Sequence, residues 1–221
     1  AVRQKTIEGE RFVTTHINFV LDETGSISTM KAEVITGFNK YIDDLKADGD
    51  AEYRFSLLKF DSAHLDQVYD DVLPSIVVPL TNKTYVPGAT TPLYDAMAHS
   101  LRTIEKHVPD GDKVLTVVFT DGLENASREV NLEELKDQMK AKEALGWAFM
   151  YLGVAVEAWA QDQAFVGTTM VSNSIRSSGA QAMSATLDSA TVSRHAYADG
   201  ASAHSLVSDD ERARIAALND K

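Results

Sequence analysis

Cysteine is absent from this chain. Disulfides, thiolate metal sites and cysteine nucleophiles are thereby excluded, and the composition fits a reducing compartment. Long hydrophobic runs are also missing. No stretch approaches the roughly 20 apolar residues that span a bilayer, so membrane insertion is not expected. No secretory pattern is visible at Ala1. A cytoplasmic location is the expectation, with a virion- or surface-associated one as the alternative. Basic charge is scarce: 21 Lys and Arg stand against 33 Asp and Glu, a net charge of −12. With no Lys/Arg cluster to neutralise phosphates, nucleic-acid binding is not expected. Several enzyme signatures are absent as well. There is no G-x-x-x-x-G-K-[ST] loop, no G-x-G-x-x-G after a strand and no G-x-S-x-G elbow. The six histidines form no ligand-like pair.

What remains is an ordinary globular composition, 44% hydrophobic and 24% charged over 221 residues. Apolar runs at 16–21, 53–60, 113–119 and 147–154 read as strands, with a shorter edge strand at 65–72 and a last one at 169–175. Between them lie helical patterns. Met30, Val34, Ile35, Phe38, Tyr41, Ile42 and Leu45 recur at three- and four-residue steps, as do Leu93, Met97, Leu101 and Ile104. A third amphipathic helix occupies 131–145, and a short one follows the strand at 147–154. The segment 73–91, with Pro74, Pro79, Pro87 and Gly88, reads as loop. Thr91 is a good N-cap ahead of Pro92. Strands alternating with helices predict a doubly wound α/β sandwich around a mostly parallel sheet. Residues 1–175 form that domain. Residues 176–221, rich in Ser, Ala and Thr, form a helical or extended tail packing on the domain or on a partner, with a weak helix at 179–197.

In such sheets ligands bind beyond the carboxyl ends of strands, where the strand order reverses. Three loops at strand ends are rich in oxygen: "DETGS" after 16–21, "GATTPL" at 88–93 and "TDGLEN" at 120–125. They offer Asp22, Thr24, Ser26, Thr91 and Asp121, two carboxylates and three hydroxyls without imidazole or thiol. Hard oxygen donors select Mg²⁺, with Mn²⁺ or Ca²⁺ as alternatives, over zinc. Glu23 should point away by strand-like alternation. A cation held largely by neutral hydroxyls keeps most of its charge and attracts an external carboxylate, which describes a binding device rather than a hydrolase.

These three motifs, in this order and spacing, resemble the von Willebrand factor type A (vWA) domain, in the form common among bacterial and phage members. "DETGS" resembles that family's Asp-x-Ser-x-Ser motif, with Thr24 where serine is usual. "TPLYDAM" resembles its second-loop threonine, and "FTDGLEN" its third-loop aspartate. The resemblance covers about residues 13–175 and implies a metal-ion-dependent adhesion site. It implies direct coordination by Thr24, Ser26 and Thr91, with Asp22 and Asp121 acting through metal-bound waters. It further implies a six-stranded sheet of order 3-2-1-4-5-6 with strand 3 antiparallel. The function implied is non-enzymatic: a protein partner presenting Asp or Glu completes the metal shell, and assembly within a larger complex fits. Two other readings stand beside it. One is a Mg²⁺-dependent phosphatase-like enzyme, which would need a second acid where Thr24 stands. The other is a scaffold with a vestigial metal site.

Overall fold

The computed structural model describes residues 13–48, 53–120, 124–153, 169–172 and 179–201. Six strands make one sheet: β1 (Thr15–Asp22), β2 (Tyr53–Phe60), β3 (Leu65–Val72), β4 (Lys113–Phe119), β5 (Ala148–Gly153) and β6 (Thr169–Ser172). Their spatial order is β3-β2-β1-β4-β5-β6. All neighbours pair in parallel except β2 and β3, which are antiparallel. Among the described residues four α-helices accompany them: α1 (Lys31–Ala47), α2 (Leu93–Ile104), α3 (Leu132–Glu143) and α4 (Gly179–Ala198). The fold is the expected mixed α/β class.

β1 shows why the chain folds this way. Every one of its eight residues is buried, as a central parallel strand covered on both faces requires. Its alternation sends Ile17, Phe19 and Leu21 into one core, with Val34, Phe38, Tyr41, Ile42 and Leu45 of α1. Val20 enters the other core, with Leu93, Met97, Leu101 and Ile104 of α2 and Leu135 and Met139 of α3. Polar positions on the α2 side are satisfied internally. Ser100 Oγ donates to Asn18 Oδ1 at 2.7 Å, and Asn18 Nδ2 donates to Thr116 Oγ1 at 3.4 Å. The helix α3 begins with a full capping box, Asn131 and Glu134 each bonding the other's backbone N–H.

The helix predicted at 179–197 forms as Gly179–Ala198. It contributes Ala190 and Tyr197 to the core shared by β1 and α1. Its C-terminal carbonyls, those of Tyr197 and Ala198, accept from Lys113 Nζ at 2.9 and 2.7 Å. The short helix expected after β5, Trp159, and the segment 202–221 lie outside the described residues.

Candidate functional site

The sheet order reverses between β1 and β4: the chain leaves β1 for β2 on one side and returns to β4 on the other. This is the switch point at which open α/β sheets bind ligands. Asp22 is the last residue of β1, and Thr120 follows the last residue of β4. The two are tied across the crevice, Thr120 Oγ1 donating to Asp22 Oδ2 at 2.7 Å. Asp22 Oδ1 accepts the Thr24 N–H at 2.8 Å, which closes the loop after the strand over the carboxylate. Tyr85 Oη donates to the Asp22 carbonyl at 2.6 Å. The Asp22 side chain is fully buried and held on both oxygens, so its position is set before any ligand arrives.

Thr24 and Ser26 are brought together as expected, Oγ1 to Oγ at 3.2 Å. Neither is occupied as a helix cap. Thr24 precedes a 3-10 turn at Gly25–Met30 and makes no side-chain cap bond, and α1 starts after Met30 without one. Thr91 corrects its expected structural role: α2 begins at Leu93 with Pro92 at the cap position and no side-chain cap bond. The Thr91 side chain is buried at 2% exposure. Its backbone is clamped by Asn125, whose Oδ1 accepts the Thr91 N–H at 2.9 Å and whose N–H donates to the Thr91 carbonyl at 3.1 Å. Asp121 lies outside the described residues.

The loops are sewn to one another by backbone bonds. Gly25 N–H donates to the Ala89 carbonyl at 3.1 Å, Gly88 N–H to the Glu23 carbonyl at 2.9 Å, and Glu23 N–H to the Phe60 carbonyl at 2.9 Å. Glu23 turns away from the Asp22 carboxylate, as alternation predicts. It is buried at 2% exposure, with Oε2 paired to Lys59 Nζ at 3.0 Å and Oε1 accepting the Val86 N–H. Lys59 also reaches the Thr84 carbonyl at 2.9 Å. This buried ion pair therefore anchors the 84–88 stretch, which carries the second loop, against the first.

The donor set suits a small hard cation. Two oxygens in adjacent positions of an octahedral Mg²⁺ shell, each about 2.1 Å from the ion, stand about 3.0 Å apart. The Thr24–Ser26 separation of 3.2 Å is close to that spacing. Among the described residues, no group of three or more His, Cys, Asp or Glu side chains could hold a metal. Thr120 and Tyr85 were not singled out from sequence, and Asn125 was noted only as a sequon, not as a clamp on Thr91. Thr120 and Asn125 bracket the quoted "TDGLEN", so the strand-end position of that motif was the available signal.

No family model matches the chain, and no curated protein does. Solved structures of similar fold exist. The PilB minor pilin of Streptococcus sanguinis superposes with a TM-score of 0.57 at 12% identity, over 89% of this chain and 64% of the pilin chain. The vWF domain of the type V pili tip protein Mfa5 of Porphyromonas gingivalis gives 0.58 at 8% identity, over 82% and 95%. A von Willebrand factor type A protein of Catenulispora acidiphila gives 0.54 at 9%, over 82% and 43%. This chain thus spans less than two thirds of the pilin. These likenesses establish a vWA-like fold.

Proposed function

We propose that the chain is a non-enzymatic, divalent-metal-dependent protein-interaction module of the adhesion type. In this reading Thr24, Ser26 and Thr91 hold the ion directly, Asp22 and Asp121 act through bound waters, and a partner's Asp or Glu completes the shell. The ion, Mg²⁺ or alternatively Mn²⁺ or Ca²⁺, supplies Lewis acidity toward that carboxylate. The observation that carries the proposal is the hydroxyl pair of Thr24 and Ser26, 3.2 Å apart at the switch point beside a buried Asp22, with no capping role to explain it. The pilin and pilus-tip proteins of similar fold favour the surface-associated alternative and assembly into a larger complex. The cytoplasmic expectation gains no support from them. The phosphatase-like reading is weakened by Glu23. It is the acid adjacent in sequence to Asp22, and it is turned away and paired with Lys59.

Calorimetric Mg²⁺ titration of wild type and Asp22→Asn tests this. Asn is preferred to Ala because truncation would leave the Thr24 N–H and the Thr120 hydroxyl unpaired, a cost of about 1–3 kcal/mol that confuses folding with binding. Wild type should bind one Mg²⁺ and Asp22→Asn should bind it roughly tenfold or more weakly. Equal affinities would remove the crevice from consideration.

A further inference from the structure

The start of α2 is capped by another loop. A helix N-cap side chain ordinarily accepts the N–H of the second or third helical residue, here Tyr94 or Asp95. Pro92 stands at the cap position and has no side-chain acceptor to offer. The acceptors come instead from the segment after β4. Glu124 Oε2 accepts the Tyr94 N–H at 3.1 Å, and Ser127 Oγ accepts those of Tyr94 and Asp95 at 3.1 and 3.2 Å. Glu124 is itself held within that segment. Its Oε1 accepts the N–H groups of Ala126 and Ser127 at 2.8 and 2.7 Å, and Ser127 Oγ donates to Oε2 at 2.7 Å.

Asp95 returns the interaction. Its Oδ2 accepts the Arg128 N–H at 2.8 Å, and its Oδ1 those of Glu129 and Val130 at 3.0 and 2.9 Å. With the Asn125 clamp on the Thr91 backbone, residues 91–95 and 124–130 are bonded in both directions. Thr91 is thus fixed against the loop after β4 and not by α2 alone. The Tyr94 and Asp95 N–H groups are taken without calling on the Thr91 hydroxyl.

We propose that Asp95 is a positioning residue for Thr91 and, through it, sets the preference of the crevice for Mg²⁺ over Ca²⁺. The inference rests on the metal-dependent reading above. Mg²⁺ demands near-ideal octahedral geometry at about 2.0–2.1 Å, whereas Ca²⁺ accepts oxygens at about 2.3–2.6 Å in a flexible shell. A donor held tightly therefore favours the smaller ion, and a donor that drifts favours the larger. Thr24 and Ser26 are held elsewhere, through the backbone of Gly25 and through Glu23 with Lys59. Loosening the Asp95 lock thus acts on Thr91 and leaves the first loop in place.

The test measures Mg²⁺ and Ca²⁺ affinities by calorimetry for wild type, Asp95→Ala and Asp95→Asn, each where circular dichroism shows it folded. Asn keeps one oxygen for Glu129 and Val130 but turns an amide donor toward the Arg128 N–H. Mg²⁺ affinity should fall roughly tenfold in Asp95→Ala and less in Asp95→Asn, with Ca²⁺ affinity falling less than Mg²⁺ affinity in both. In the metal-free ¹⁵N-labelled proteins the Thr91 and Asn125 amide signals should move in the same order. Tyr197→Phe is the stability control. It removes the Oη bond to the Gly146 carbonyl at the opposite end of the sheet and should leave both affinities and those signals unchanged. A merely structural Asp95 would lower Tm and keep the wild-type ratio of Mg²⁺ to Ca²⁺ affinity; that result overturns the inference while the metal reading stands. A ratio that moves equally in Tyr197→Phe overturns it as well. If Asp95→Ala does not fold, the ratio in Asp95→Asn decides. A wild type that binds neither ion saturably overturns both readings.

Discussion

Tyr41 shows how a single residue contributes to the alkaline limit of this fold. Its ring is buried between Phe19 and the Arg194 guanidinium, and its hydroxyl has no hydrogen-bond partner among the described residues. Burial pushes the phenol from 10.0 up to about 12, against the opposing charge of Arg194. The folded state thus holds this proton more tightly than the unfolded chain. Its contribution is complete below pH 10 and is lost as pH rises from there through about 12. For a shift of this size the loss amounts to about 2–3 kcal/mol. Tyr41→Phe, which cannot ionise and leaves no unsatisfied hydroxyl, should lose correspondingly less stability between those pH values. Urea melts of both proteins check this; parallel pH profiles would refute it. Tyr197, also raised to about 12 by burial, remains in the variant, so the slope should shrink rather than vanish.

At the scale of elements, legibility followed the chemistry of the strands. β4 was readable because a short run rich in β-branched and aromatic residues is too brief for a helix. α3 was readable from its amphipathic pattern over 131–145. The first loop was equally open, since Asp22, Thr24 and Ser26 lie within one stretch of chain and need no distant partner to be recognised. What could not be read was long-range pairing. Asn125 clamps Thr91 from 34 positions away and Thr120 bonds Asp22 from 98, and no local pattern encodes either. The same limit hid the core role of α4. Its Ser-, Ala- and Thr-rich sequence lacks a broad apolar stripe, and its largest fully buried side chain is Arg194. That guanidinium stacks over Tyr53 at 4.8 Å and meets Asp48 at 3.1 Å, so a charged residue does the work of a core residue. Removing one partner of such a pair leaves a buried charge uncompensated, whereas replacing the cation by an apolar chain does not. Asp48→Ala should therefore cost about 3 kcal/mol. The double variant Asp48→Ala with Arg194→Met should recover a large part of that loss. Chemical denaturation decides it, and a double variant no more stable than Asp48→Ala would show that α4 is held by other contacts.

For the whole molecule, the net charge of −12 complicates any claim about metal. A strongly acidic protein gathers divalent cations in its ion atmosphere, and screening of self-repulsion alone raises stability. Site binding has a different signature. An ion that binds only the folded state adds RT ln(1 + [Mg²⁺]/Kd), about 2.7 kcal/mol at a hundredfold excess over Kd. At roughly 2–4 °C per kcal/mol for a domain of this size, Tm should rise by about 5–10 °C. Asp22→Asn keeps the rest of the surface charge and so retains the screening component while losing the site component. The expected result is a saturating rise in wild type and a small, unsaturating rise in Asp22→Asn, with NaCl at matched ionic strength reproducing only the latter. Identical rises in the two proteins would mean that the ions sit diffusely over the acidic surface, and that the buried Asp22, with its bonds to Thr24 and Thr120, serves only to join β1 to β4.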